Sequence, residues 1–343
     1  MSDPDAADSP LEASAGSVGS HATEAFKALG NETRLAILLA LWEAYDPHAE
    51  ANAVQFSELR DAVGVADPGR FNYHLSELTD EFVSSTDDGY VLRRSGYRVV
   101  QTVIAGTMIE DATLDPTEID IACPYCDAPT AIGYEDENFY QLCTECVGRL
   151  GTSDEGWSIG GAEDDYGGLL TLNQFDPAGL ANRSSEEIYN TATVKLYATI
   201  AQATAGFCHS CSGRVDGSLD VCPDHHPTPQ EVCPTCNRRY RIRAMYECSA
   251  CKELIGFPPS VAVGTHPAVV SFYYDYGIRI GDITDPESVK RTHYFMQETE
   301  TELISEEPPL IRITISHEGD TLALTLDETL SVLEIDDDRS TAV

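Results

Sequence analysis

Cysteines are the residues of this 343-residue chain best suited to chemistry, and ten of the eleven occur as C-x-x-C pairs. The first two pairs, Cys123–Cys126 and Cys143–Cys146, are sixteen residues apart. Two such pairs at this spacing can place four thiolates tetrahedrally around one zinc ion, whereas a redox dithiol would need only one pair. Segments 130–134 and 139–142 have the composition of strands. We therefore predict a zinc ribbon over residues 117–155.

The other seven cysteines lie between residues 208 and 251. A second double C-x-x-C motif is formed by Cys233, Cys236, Cys248 and Cys251. The remaining three cysteines lack a fourth ligand; they are Cys208, Cys211 and Cys222. His225 stands at the C-x-x-H interval from Cys222 and is favoured over His226 on that spacing. The sequence thus predicts paired zinc modules over residues 207–256 and three Zn(2+) ions per chain.

How the four pairs after residue 207 combine is left open by the spacing. We prefer sequential pairing, with 208/211 joining 222/225 and 233/236 joining 248/251, because each neighbouring pair is one hairpin's length apart. The alternative is an interleaved cross-brace. Neither arrangement leaves an open coordination position, and the chain has no P-loop, G-x-S-x-G or HExxH motif. We expect no enzymatic activity and assign no catalytic residue.

The segment Asn237–Arg243 carries four arginines in an otherwise acidic chain. If the segment is a strand, alternation places Arg239, Arg241 and Arg243 on one face. That face could meet a nucleic-acid backbone. Alternatively, the guanidinium groups pair with nearby carboxylates of the chain itself.

The elements before the cysteines form a compact pattern over residues 21–108. A helix is expected to bury Leu35, Leu38, Leu39 and Trp42 on one face. A short helix from Phe56 follows, closed by Gly64, and then a helix capped by Asp67 that buries Phe71, Leu75 and Leu78. A hairpin turning at Asp87–Gly89 and a last helix from about Ser95 to Thr107 complete the pattern.

Two stretches of this pattern, Phe26–Leu35 and Gly69–Leu78, resemble the opening and the recognition helix of ArsR-like winged helix-turn-helix regulators. The chain also resembles halophilic archaeal proteins that carry cysteine-rich, zinc-ribbon extensions behind such a domain. The resemblance implies double-stranded DNA as the partner and a homodimer as the assembly. The regulatory thiols of metal-sensing relatives are missing, because no cysteine precedes Cys123. The resemblance therefore favours DNA binding and not metal-responsive regulation.

Positions facing away from the buried residues of the predicted recognition helix are the candidate DNA contacts. Arg70 and Asn72 can make the bidentate contacts that distinguish guanine and adenine, and Arg93 and Arg94 in the wing can reach phosphates. The full candidate set is Gly69, Arg70, Asn72, Tyr73, Ser76, Arg93 and Arg94. The competing interpretation is a winged helix used only for dimerisation or protein contact.

The net charge of −37, with seventeen arginines among 21 basic residues, resembles proteins of extreme halophiles, where molar salt screens the repulsion. An acidic, partly disordered eukaryotic protein is the alternative, which the even spread of acids disfavours. No apolar run could span a membrane and no secretory signal is evident, so a cytoplasmic location is expected.

The remaining segments complete an α+β architecture. We expect a disordered acidic tail over 1–20, a connecting helix within 176–206 with Ser184 and Glu187 as its capping box, a small C-terminal α+β region over 257–336, and a tail over 337–343. The sequence favours a sequence-specific DNA-binding transcription regulator with a protein partner or small effector at its C-terminal region. The alternatives are a zinc-ribbon adaptor that binds other proteins of the transcription machinery, and an RNA-binding protein.

Overall fold

The computed structural model describes residues 19–49, 51–107, 112–151, 168–228, 231–282, 284–296 and 299–339. Within these ranges the fold is mixed α+β, as predicted, with nine α-helices and four antiparallel sheets. The chain divides into two compact units, residues 1–108 and 109–343. Across the described ranges, no helix combines the length and the apolar composition needed to cross a bilayer. Of the predicted tail over 1–20, residues 1–18 lie outside the described residues, while Gly19 and Ser20 begin a helix.

In the first unit, the described residues form five helices and one hairpin. In chain order they are α1 (Gly19–Leu29), α2 (Glu32–Glu43), α3 (Phe56–Val63), α4 (Pro68–Ser76), β1 (Val83–Thr86), β2 (Gly89–Leu92) and α5 (Arg94–Thr107). The Asp67 carboxylate caps α4 by accepting hydrogen bonds from the N–H groups of Gly69 and Arg70, at 2.7 and 3.2 Å. Gly64 ends α3 in the left-handed conformation, as predicted for that position.

The buried face of α2 differs from the predicted one. Ile37, Leu38 and Leu41 lie in the core, whereas Leu35 and Leu39 are 42% and 43% exposed. Apolar residues surround most of this helix, so periodicity alone admits more than one inward face. The packing of α3, α4 and α5 against α2 selects the face that carries Ile37 and Leu41.

The hairpin is tied to the rest of the first unit through Val54. Val54 and Tyr90 of β2 exchange backbone hydrogen bonds at 3.0 and 2.9 Å. This close approach requires Gly89, which has φ of +132° and where a Cβ atom would lie 2.4 Å from the Val54 carbonyl oxygen. The short bridge therefore fixes the hairpin beside α3.

The described residues of the second unit form three sheets and four α-helices. The first sheet has the order β3 (Leu114–Ala122), β4 (Pro129–Glu135), β5 (Asn138–Cys143) and β6 (Leu169–Gln174). After a 3-10 turn at Pro177–Leu180 comes α6 (Ser185–Thr204), followed by a sheet of β7 (Val215–Val221), β8 (Ile242–Cys248) and β9 (Leu254–Phe257). Then follow α7 (Pro259–Ala262), α8 (Pro267–Asp275) and α9 (Pro286–Phe295). The last sheet is β10 (Glu300–Glu306), β11 (Pro309–His317), β12 (Asp320–Leu326) and β13 (Val332–Asp338).

Helix α6 begins at the predicted capping box. The Ser184 side chain accepts from the Glu187 N–H, and the Glu187 carboxylate accepts from the Ser184 N–H at 2.7 Å. Farther along, Tyr197 and Ile200 enter the largest core, together with residues of β8, α8 and the last sheet. The predicted tail from residue 337 is partly wrong, because β13 pairs with β12 as far as Asp338. Residues 340–343 lie outside the described residues.

Candidate metal centres

Among the described residues, three groups of four side chains bring their potential ligand atoms together, and each group could hold a metal ion. Within each group the ligand atoms all lie within 4.8 Å of one another. Site 1 is Cys123, Cys126, Cys143 and Cys146; site 2 is Cys208, Cys211, Cys248 and Cys251; site 3 is Cys222, His225, Cys233 and Cys236. All twelve predicted ligands thus fall into complete sets of four.

The sulfur separations match a metal-centred tetrahedron. Sγ–Sγ distances are 3.7 Å for Cys123–Cys146, 3.4 Å for Cys126–Cys143, 3.6 Å for Cys208–Cys251 and 3.5 Å for Cys211–Cys248. A tetrahedron with Zn–S bonds of about 2.3 Å has an edge of about 3.8 Å. A disulfide would require about 2.05 Å. These distances therefore fit one ion per site, and they show that the paired sulfurs are not joined by disulfide bonds.

The pairing after residue 207 is neither sequential nor cross-braced. It is nested, since the first pair joins the fourth and the second joins the third. The preferred sequential pairing is wrong because β7 and β8 pair along their whole length, from Val215–Cys248 to Val221–Ile242. Strands of seven residues hold their two ends about 20 Å apart, so each end collects its own ligands.

Four of the C-x-x-C pairs share one backbone turn. In each turn the N–H of the residue after the second cysteine donates to the carbonyl of the first, at 2.9 Å for Asp127, 2.9 Å for Ser212, 2.7 Å for Asn237 and 3.0 Å for Lys252. These four residues have φ between 54° and 64°, in the left-handed region. The sequence analysis did not include these four residues. Asp127 and Asn237 could have indicated the turn, because aspartate and asparagine tolerate the left-handed conformation.

Backbone N–H groups in and beside the C-x-x-C pairs also donate to sulfur. Tyr125 donates to the Cys123 Sγ at 3.5 Å, Cys146 to the Cys143 Sγ at 3.2 Å, and Gly213 to the Cys211 Sγ at 3.3 Å. Such bonds stabilise thiolate over thiol, since the N–H dipole favours negative charge on sulfur. The arrangement is suited to a bound cation.

His225 rather than His226 enters site 3. Its Nδ1 lies 3.5 Å from the Cys236 Sγ, and its Nε2 lies 3.1 Å from the Arg239 carbonyl oxygen. A proton on Nε2 donated to that carbonyl leaves the Nδ1 lone pair free for a metal. His226 instead contacts Asp224 and its side chain is 72% exposed.

The arginine-rich segment is engaged within the chain. Arg238 pairs with Asp220 at 2.7 Å, Arg241 pairs with Glu306 at 3.2 Å, and Arg239 lies over the Tyr125 ring at 4.8 Å. The predicted single face of Arg239, Arg241 and Arg243 is wrong, because β8 begins only at Ile242. The site 3 turn occupies residues 233–238. The turn keeps the residues just before Ile242 out of the strand.

The candidate DNA contacts of the first unit divide between two places. Gly69, Arg70, Asn72, Tyr73 and Ser76 are all exposed on α4, opposite the buried Phe71 and Leu75. Arg93 and Arg94 are exposed but follow β2, at the base of the hairpin. The Arg93 guanidinium donates to the Asp80 carbonyl. The hairpin tip carries Asp87 and Asp88, so the predicted placement of the arginines in the wing needs correction.

Comparison with known families gives two matches. Residues 120–332 match the domain of unknown function DUF7351, and residues 22–103 match the domain of unknown function DUF7347. No curated protein and no solved structure matched the chain. Because the first match covers more than half of the sequence, the chain belongs to the DUF7351 family.

Proposed function

We propose that this protein is a sequence-specific, DNA-binding transcription regulator whose second unit is stabilised by three structural zinc ions. The observation that carries the proposal is α4. A capped, two-turn helix presents an arginine, an asparagine and a tyrosine to solvent while Phe71 and Leu75 anchor its opposite face. These are the side-chain types that read base edges in the major groove.

The elements around α4 support a winged helix-turn-helix. The short α3 precedes it, the β1–β2 hairpin follows, and Val54 adds a third extended segment beside β2. In this fold α4 enters the major groove and the hairpin lies along the flanking backbone. Arg93 and Arg94 would reach phosphates from the base of the hairpin.

Zinc is the metal that fits the ligand sets best. Two sites offer four thiolates and the third offers three thiolates and one imidazole, all at tetrahedral separations and with no place for a substrate. Bound zinc would hold the ends of β7 and β8, and would join the turn between β3 and β4 to the end of β5. Metal analysis of the purified full-length chain should return about three zinc equivalents, because each site binds one closed-shell ion.

Exposed apolar side chains on the first unit support a homodimer. Phe26 on α1, Leu35 and Leu39 on α2, and Val103 on α5 are between 42% and 61% exposed. Exposed apolar groups of this size favour burial against a second copy. The thiolate-rich sites favour a reducing compartment, consistent with a cytoplasmic location.

An RNA-binding role has no comparable support, since the arginine segment is engaged with Asp220, Glu306 and Tyr125. A zinc-ribbon adaptor would use the second unit for protein contact and would not require the α4 surface.

The proposed function is tested by fluorescence anisotropy on the DNA upstream of the chain's own coding sequence, at high potassium chloride concentration. We expect saturable binding to the upstream DNA, and neither scrambled DNA nor RNA should displace that DNA from the protein. Equal affinity for the upstream DNA, scrambled DNA and RNA would contradict the proposal.

A further inference from the structure

A cavity of about 850 Å³ lies within the second unit, between the site 1 turn and α9. One wall is the segment Asp120–Asp127, which includes Cys123 and Cys126; the other is formed by the loop after α8 and by α9. Cavities of this size hold small organic molecules. None of the groups proposed to contact DNA lines it.

The α9 wall is basic in a chain of net charge −37. Arg279, Lys290 and Arg291 all line the cavity. Lys290 pairs with Glu287 at 3.1 Å, and Arg291 pairs with Asp285 at 3.6 Å. The guanidinium of Arg279 is exposed and has no hydrogen-bond or ion-pair partner among the residues that the structure describes. In such an acidic chain, an arginine without a partner in the described residues is available to an anion from outside.

Two further polar side chains, Gln141 and His293, line the same space. Gln141 is 4% exposed; its Nε2 donates to the Thr130 Oγ1 at 3.0 Å, which leaves its Oε1 without a partner in the described chain. The Tyr197 hydroxyl, which is buried, lies 3.3 Å from the His293 Nδ1. A buried hydroxyl needs an acceptor, so Tyr197 donates and the His293 proton resides on Nε2. Desolvation and the charge of Arg149 lower the pKa of His293 to about 3, so the ring stays neutral.

Most of the remaining lining is aromatic or aliphatic. Tyr125 and Tyr294 contribute rings that are 40% and 54% exposed, and Ile278, Leu170 and Phe295 add hydrocarbon. On the site 1 wall, Asp120 and Asp127 repel anions. A ligand's negative group is therefore directed to Arg279 and its ring system to the aromatic side chains.

We propose that this cavity is a binding site for an aromatic organic acid, whose anionic group meets Arg279, whose ring packs on Tyr125 and Tyr294, and whose polar substituents meet Gln141 and the His293 Nε2–H. Because Cys123 and Cys126 form part of the wall, a metal ion bound at site 1 would hold this wall in place. The proposal does not depend on DNA binding.

The test is equilibrium dialysis of naphthoate against the full-length, zinc-loaded protein in about 2 M potassium chloride, which screens non-specific charge effects. Naphthylmethanol is the neutral probe of matched shape. Arg279→Ser removes the cation that lines the cavity. Arg214→Ser is the matched control, since Arg214 is exposed, pairs with Asp216 and lies outside the cavity.

Saturable naphthoate binding is expected in the parent and in Arg214→Ser. Arg279→Ser should weaken it by about tenfold, the effect of one charge-assisted hydrogen bond, and naphthylmethanol should bind the parent as weakly as naphthoate binds this variant. Equal naphthoate affinity in Arg279→Ser, equal affinity for the two probes, or no saturation below about 5 mM would each overturn the proposal.

Discussion

The Nδ1 atom of His225 lies 3.5 Å from the Sγ atom of Cys236, eleven residues farther along the chain. The neighbouring His226 points to Asp224 and solvent instead. Of these two adjacent imidazoles, only that of His225 lies among the ligand atoms of site 3. The two histidines therefore form a matched pair for testing whether His225 binds metal.

His225→Ala should lower the zinc content from about three to about two equivalents, because a three-thiolate set without its imidazole binds metal far more weakly. Inductively coupled plasma mass spectrometry of dialysed full-length protein measures this content. His226→Ala is the control and should keep the parent value. A full zinc complement in His225→Ala would rule out its role as a ligand.

The nested pairing of the cysteine pairs can be tested separately from the number of bound metal ions, which is the same for nested and sequential pairing. Cadmium-substituted protein should give two NMR resonances from the all-thiolate sites 1 and 2 and one from the mixed site 3, because replacing a thiolate by imidazole shifts the cadmium signal strongly. Cys211→Ser should remove one all-thiolate resonance and keep the mixed-site resonance. Cys236→Ser should do the reverse.

Sequential pairing predicts the opposite outcome for both variants. In that arrangement Cys211 shares a site with His225, and Cys236 belongs to an all-thiolate set. Loss of the mixed-site resonance in Cys211→Ser would therefore refute the pairing seen in the β7–β8 sheet.

Spacing predicted the twelve candidate ligands but not how they divide into three groups, and the reason is physical. A C-x-x-C pair is a local property of the chain, closed by backbone bonds such as that from Asn237 to Cys233. The choice between 222/225 and 248/251 as partner depends on the register of β7 with β8. Strand register is set by packing across the sheet, which no local interval encodes.

The same distinction explains which elements were missed. Helix α6 was predicted because Ser184 and Glu187 form a local capping box. Strand β3 was missed because it carries Pro116 and several acids and forms the edge of its sheet, so its apolar alternation is weak. Helix α9, with mostly polar residues, is held by tertiary contacts of Val289 and Thr292. The Arg279 cavity joins α9 to the site 1 turn and had no sequence signal.

Direct base reading predicts a specific pattern of losses on α4. Arg70→Ala and Asn72→Ala should each weaken binding to the specific site by roughly 1–3 kcal/mol, while binding to scrambled DNA changes little. Anisotropy titrations of the two DNAs measure the difference. Arg312→Ala, which removes an arginine of the second unit paired with Asp336, is the control. If both α4 variants bind like the parent, α4 is not the reading element.

The base of the hairpin should behave differently. Arg93→Ala is expected to weaken specific and scrambled DNA alike, as for a phosphate contact. Its guanidinium also donates to the Asp80 carbonyl, so thermal unfolding must be measured in parallel. A selective loss on the specific site, with unchanged unfolding, would assign Arg93 to base reading instead.

The acidic tip of the β1–β2 hairpin predicts an unusual response to salt. Ordinary DNA-binding proteins lose affinity as salt rises, since phosphate contacts release counterions; six to ten contacts cost roughly a thousandfold or more between 50 and 200 mM. Here the exposed carboxylates of Asp87 and Asp88 form no ion pair in the described structure and occupy the hairpin tip. Cations held between these carboxylates and DNA would offset the release.

We therefore expect DNA affinity to stay level or rise between about 1 and 3 M potassium chloride, where charge is strongly screened. Asp87→Asn together with Asp88→Asn should restore a falling dependence. Glu77 is a poor choice for this test, because its carboxylate already pairs with Arg34 at 3.1 Å. Glu318→Gln, which neutralises a carboxylate of the second unit, serves as the control. A steep loss of affinity in the parent would contradict cation uptake altogether. An unchanged slope in the Asp87/Asp88 variant, with a level response in the parent, would place the retained cations elsewhere on the acidic surface.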